Sequence, residues 1–117
     1  MSSNVRIERP EARIAVIAPS GSLDGEQLHT ELQAGVGDLL ADGVTGIVVD
    51  LSEFAILDSA GLGALVAAHR EVAGAQGARM VLTGVVPALR QTLSRAMLLQ
   101  VLPVYETLAR ALAAVRD

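Results

Sequence analysis

The chain contains no cysteine, which excludes disulfides and thiolate metal centres. Aromatic residues are nearly absent. Phe54 and Tyr105 are the only ones, so a core has to be built from Leu, Val, Ile and Ala. No apolar run reaches the roughly 18 residues of a membrane-spanning helix. The polar start Met1-Ser2-Ser3-Asn4 lacks the character of a signal peptide, so a cytoplasmic location without a membrane span is the expectation. An excess of positive charge is missing too. The formal net charge is −4, whereas a general nucleic-acid binder needs a basic face. The two histidines, His29 and His69, stand far apart, so a metal site would have to rely on carboxylates. Gly61-x-Gly63 lacks the lysine and the length of a phosphate-binding loop. No metal and no cofactor is expected.

What is present points to a folded chain. Of 117 residues 51% are hydrophobic and 19% charged, which sets the sequence apart from disordered ones. This length predicts one domain over 1–117, with its core from about residue 5 to 115 and roughly two-thirds of the unfolded surface buried.

Val5-Arg6-Ile7-Glu8 alternates as a half-buried strand does, and Arg9-Pro10-Glu11 reads as a turn. Ile14–Ala18 is a second strand, hairpinned to the first. Pro19 cannot donate to a ladder, so that strand either ends there or bulges and continues through Ser20–Leu23. Leu28, Leu32, Val36 and Leu39 recur at spacings of three and four, the stripe of a first helix that Asp42-Gly43 ends. Gly35 and Gly37 each weaken that helix by about 1 kcal/mol relative to Ala. Ile47–Leu51 is apolar on both faces, as a central strand is. A second helix follows Asp58 with Leu62, Leu65, Val66, Val72 and Ala73 as its stripe, and Gly74-Ala75-Gln76-Gly77 stops it. Met80–Leu82 is the next strand. Pro87 suits the first turn of a third helix with Leu89, Leu93 and Met97 inward. Val101–Val104 reads as a short edge strand, and Leu108, Ala111, Leu112 and Val115 mark a last helix. Leu98 and Leu99 suit the core, with an exposed docking patch as the alternative. The alternation predicts an α/β fold: a mixed, mostly parallel sheet of about five strands flanked by about four helices.

The chemistry concentrates where the central strand runs through a loop into Asp58-Ser59-Ala60-Gly61-Leu62. A helix start offers unpaired N–H groups and partial positive charge, so it favours oxygen ligands. Asp58 or Ser59 as N-cap would satisfy some of those donors, and a capping Ser59 would be less available to other chemistry. Asp24 holds a similar place before the first helix. A nucleophilic serine needs a base within reach. His69 lies ten residues further along the same helix, about 15 Å by helical rise, and no Gly-x-Ser-x-Gly elbow surrounds Ser59. A serine enzyme is therefore the rival reading, and it lacks its base. Glu26 and Glu31 suit a solvated helix face.

Asp58-Ser59-Ala60-Gly61-Leu62 resembles the helix-start signature of the STAS family, the domain of anti-sigma-factor antagonists. Gly21-Ser22-Leu23-Asp24 resembles a second landmark, and Leu99–Tyr105 with the following Ala111-Leu112 a third. The resemblance covers about Val5 to Val115. It implies a bacterial signalling protein without catalysis, acting in transcription regulation by protein–protein interaction. The implied partner is an anti-sigma factor that is also a serine kinase, met through Asp24, Asp58, Ser59, Ala60, Gly61 and Leu62. In the family the residue before the glycine is phosphorylated, and phosphorylation releases the partner. That residue is Ala60 here, which has no hydroxyl. The usual switch is therefore expected to be missing, with Ser59 the neighbouring alternative acceptor. A scaffold subunit of a stressosome-like or lipid-transport assembly is the second expectation. A monomer, or a weak homodimer through an exposed edge strand, would suit either.

Overall fold

β-Branched apolar runs become the strands, and stripes of period near 3.6 become the helices. The computed structural model describes residues 4–116; the polar start Met1–Ser3 and Asp117 lie outside them. The order is β1 (Val5–Glu11), β2 (Ile14–Pro19), α1 (Gly25–Ala41), β3 (Gly46–Asp50), α2 (Ser59–Ala73), β4 (Arg79–Thr83), α3 (Pro87–Arg95), a 3₁₀ turn (Leu98–Gln100), β5 (Val104–Tyr105) and α4 (Leu108–Val115). The strands form one sheet in the order β1-β2-β3-β4-β5. β1 and β2 are antiparallel, and every other neighbouring pair is parallel. This is the α/β architecture expected from the sequence.

The sheet separates two cores. Ala15, Ile17, Ile47, Val49, Met80 and Leu82 face α1, α2 and α3. Ile14, Val16, Val48 and Val81 face the other way, against Ala111 and Val115 of α4. β3 is therefore covered on both sides, which is why Ile47, Val48 and Val49 are all apolar. The stripe Leu28, Leu32, Val36 and Leu39 is buried as expected. Burying each such side chain contributes about 1.5–3 kcal/mol.

Several expectations need correction. Arg9-Pro10-Glu11 is not a turn. The pairing jumps from Glu8↔Val16 to Glu11↔Ile14, so Arg9 and Pro10 together oppose Ala15 in a bulge. A bulge on an edge strand accommodates a proline that has no N–H to give. The stretch 5–8 is also less buried than a half-buried strand, with only Val5 partly covered. At Pro19 the first of the two expected outcomes holds: the second strand ends there, and the Ser20 N–H donates to the Asn4 carbonyl at 2.7 Å. In α2 the buried stripe is Gly61, Ala64, Leu65, Ala68 and Val72; Leu62 and Val66 are half-buried and Ala73 is exposed. Met97 is 65% exposed because α3 has already ended and Met97 takes a left-handed φ of 60°. Val101 and Leu102 lie outside the last strand, and Leu108 of α4 is exposed. Leu98 and Leu99 are half-buried and pack on the larger core, matching the first of their two readings.

Two glycines test the packing with opposite signs. A Cβ at Gly35 would lie 3.6 Å from Ile7 Cδ1 and 3.9 Å from Ile17 Cδ1, ordinary contact distances. Gly35→Ala should therefore stabilise the protein by about 0.5–1 kcal/mol, through better helix propensity. A Cβ at Gly46 would lie 2.8 Å from the Val115 carbonyl oxygen and 2.9 Å from Val115 Cβ. Gly46→Ala should force α4 off the sheet at a cost of about 1–3 kcal/mol. Urea unfolding midpoints at an unchanged m-value read both effects.

Candidate functional site

The loops leaving β2 and β3 end on acidic N-caps. Asp24 caps α1: its Oδ1 accepts the Gln27 N–H at 2.8 Å, and Gln27 Oε1 accepts the Asp24 N–H at 2.9 Å, a complete capping box. Asp58 caps α2, its Oδ1 accepting the Gly61 N–H at 2.8 Å. Between the two candidates for this second cap, the structure selects Asp58. Ser59 is the first residue of the helix and is exposed, so the shielding expected of a capping serine is absent.

The two helix starts touch. A Cβ on Gly25 would fall 2.5 Å from Asp58 Oδ1, 2.6 Å from Ala60 Cβ and 2.8 Å from the Gly61 nitrogen. Only a residue without a side chain lets the two first turns approach this closely. The preceding loops are tied as well. The Gly21 N–H donates to Glu53 Oε1 at 2.9 Å, and a Cβ on Gly21 would lie 2.4 Å from the Glu53 carbonyl oxygen. Gly61 is buried against Leu57, whose Cδ2 would stand 3.0 Å from an added Cβ. The two sequence landmarks, 34 residues apart at Asp24 and Asp58, thus form one surface.

Of the residues singled out from the sequence, Asp24, Asp58, Ser59 and Ala60 are exposed on this surface, Leu62 is half-buried and Gly61 is buried. A groove of about 200 Å³ runs between the two loops, with Asp24 and Asp58 on its walls and Leu23 and Phe54 in its lining. Ile56 also lines it and is 74% exposed. Sequence patterning missed Ile56, because a lone isoleucine in a loop carries no period. It missed the roles of Gly21, Gly25 and Glu53 for a different reason: close approach between distant loops leaves no local signature. Glu26 is exposed and Glu31 half-buried. His69 is half-buried and lines a separate cavity of about 300 Å³ with Arg79 and Tyr105. Neither histidine lines the groove. The arrangement offers carboxylates, an exposed apolar side chain and a fixed backbone, the chemistry of docking.

Residues 6–111 match the family described as the STAS domain. Among solved structures, an anti-sigma factor antagonist from Mycobacterium paratuberculosis is 30% identical, the match covering 97% of this chain and 93% of that one, with a TM-score of 0.77. A Thermotoga maritima protein, TM1081, described as a putative anti-sigma factor antagonist, is 21% identical over 97% and 95% of the two chains, with a TM-score of 0.84. SpoIIAA of Bacillus in its unphosphorylated form is 21% identical over 96% of both chains, with a TM-score of 0.77. The last two likenesses speak for the fold. Among curated proteins, no relative matches.

The cap assignment can be checked directly. Asp58→Ala should lower the unfolding free energy by about 1 kcal/mol, whereas Ser59→Ala should change it by less than about 0.5 kcal/mol. Equal losses in chemical denaturation would return the cap to Ser59.

Proposed function

Because this chain belongs to the STAS domain family, we propose that it is an anti-sigma-factor antagonist that binds a kinase-type anti-sigma factor reversibly. The binding surface is the start of α2 together with the loop after β2. The observation that carries the reading is the contact at Gly25, which joins Asp24, Asp58, Ser59 and Ala60 into one exposed, fixed patch. The description of the mycobacterial relative as an anti-sigma factor antagonist supports the same reading. The protein makes and breaks no covalent bond of its own. It works in the cytoplasm as a monomer or weak homodimer, without nucleic acid. The charged residues and the Pro10 bulge on β1 suit that state, since they discourage edge-to-edge pairing.

Ala60 sets the mode of regulation. A phosphate adds nearly two negative charges, and an interface that already presents Asp24 and Asp58 would have to repel or desolvate them. Without a hydroxyl at position 60 that step is closed, and the domain stays in its binding state. Ala60 equally favours a second reading, a scaffold subunit of a stressosome-like or lipid-transport assembly, which needs no switch.

Three measurements test the proposal. Calorimetric titration with the cognate anti-sigma kinase should give saturable binding that Ile56→Asp weakens at least about tenfold, as loss of a central apolar contact does. Incubation with that kinase and radiolabelled ATP should leave the wild type unlabelled and label Ala60→Ser. Label on the wild type that disappears in Ser59→Ala would show a working switch one residue earlier. Absence of kinase binding, with capture into a multi-subunit scaffold, would favour the second reading.

A further inference from the structure

β4 and β5 are parallel neighbours whose following helices leave to opposite faces of the sheet: α3 joins the larger core through Leu89 and Leu93, α4 the smaller through Ala111 and Val115. Chains that part in this way open a crevice at the carboxyl ends of the two strands, the place where open α/β sheets take ligands. A crevice of about 530 Å³ is present there, within the roughly 300–1,000 Å³ of small-molecule sites. Beside it the two strand ends are tied together by the buried Thr83, whose Oγ1 donates to the carbonyl of Tyr105, a lining residue, at 3.0 Å.

The lining is chemically specific. Arg90 stands on the α3 side and Arg110 on the α4 side, with Val85, Val104 and Tyr105 between them. Among the described residues Arg6, Arg9 and Arg116 pair with carboxylates, and Arg79 donates to the Ala114 carbonyl at 3.2 Å. Arg13, Arg70, Arg90, Arg95 and Arg110 have no such side-chain partner, and of these five only Arg90 and Arg110 line the crevice, which Glu106 also lines. Both guanidinium groups are exposed and line one crevice, so an anion seated in it can accept forked hydrogen bonds from each. We propose that this crevice binds a small phosphomonoester, its dianion between Arg90 and Arg110 and its body against Tyr105 and the valines. A phosphomonoester carries about −1.5 to −2 charges at pH 7, enough to engage both arginines with Glu106 still ionised nearby. The site is distinct from the start of α2, and the proposal stands independently of the partner named above.

The test is an amide NMR titration of the full chain with phenyl phosphate, inorganic phosphate and phenol. Phenyl phosphate should give saturable shifts at Arg90, Tyr105 and Arg110 and bind more tightly than inorganic phosphate, with phenol giving none. Arg90→Gln and Arg110→Gln should each weaken binding about tenfold, the worth of one charge-assisted hydrogen bond, with unchanged thermal unfolding. Failure of phenyl phosphate to saturate would overturn the proposal. So would affinity retained in the double variant, or shifts centred on residues 58–61.

Discussion

The surface of this molecule depends on one absence of atoms. Gly25 has no side chain, so the first turn of α1 lies directly against the first turn of α2, with Asp58 Oδ1 and Ala60 Cβ where a β-carbon would be. Further along the same two helices, a Cβ on Gly37 would approach Glu71 Oε2 at 3.1 Å. The pair therefore runs side by side in the same direction, its closest approach at its start. Each start carries the partial positive charge of a helix, and each is matched by its own carboxylate, Asp24 or Asp58. Two like-signed helix ends can sit together because the caps neutralise them first.

From that contact the character of the site follows. Cap, glycine and loop tie at Gly21–Glu53 fix the backbone on both sides of the groove, so on the proposed function a partner meets a surface that needs little ordering on binding. Fixed surfaces of this kind are switched most directly by a change of charge. Under the proposed function, Ala60 withholds the hydroxyl on which such a change would be written. Ser59 is exposed but sits one residue earlier, about 100° around the helix, so a group added there would face a different part of any partner.

The architecture was legible in the sequence because its signals are periodic. The stripe Leu28, Leu32, Val36 and Leu39 and the doubly apolar Ile47–Val49 both announce what covers them. The misreadings occur where a tertiary constraint overrides a local rule. Pro10 suggested a turn, yet the pairing of Glu11 with Ile14 holds it in a bulge. Met97 fits the α3 stripe by spacing, yet the helix stops two residues before it. At the site, the family resemblance already grouped Asp24 with the start of α2, but the contact that joins the two was not legible. Gly25 looks locally like a helix-weakening residue, and only its contact with residues 58–61 shows why nothing larger fits.

The unequal layers of the sheet bear on how such a domain can be controlled. α1, α2 and α3 fill one face while α4 alone covers the other, so the chain parts at the β4–β5 edge and opens the arginine-lined crevice there. That crevice and the start of α2 lie on the same rim, at the carboxyl ends of parallel strands. β3 and β5 are separated by two strand spacings, roughly 10 Å. A standard interface takes about 20–30 residues from each partner, so one docking protein can cover both places. Coupling through the protein would require an element with two arrangements, and the hydrogen-bonded sheet between the sites provides none among the described residues. A dianion in the crevice would instead act on the partner directly, through its charge at the edge of the footprint. That route would change affinity without moving the fold.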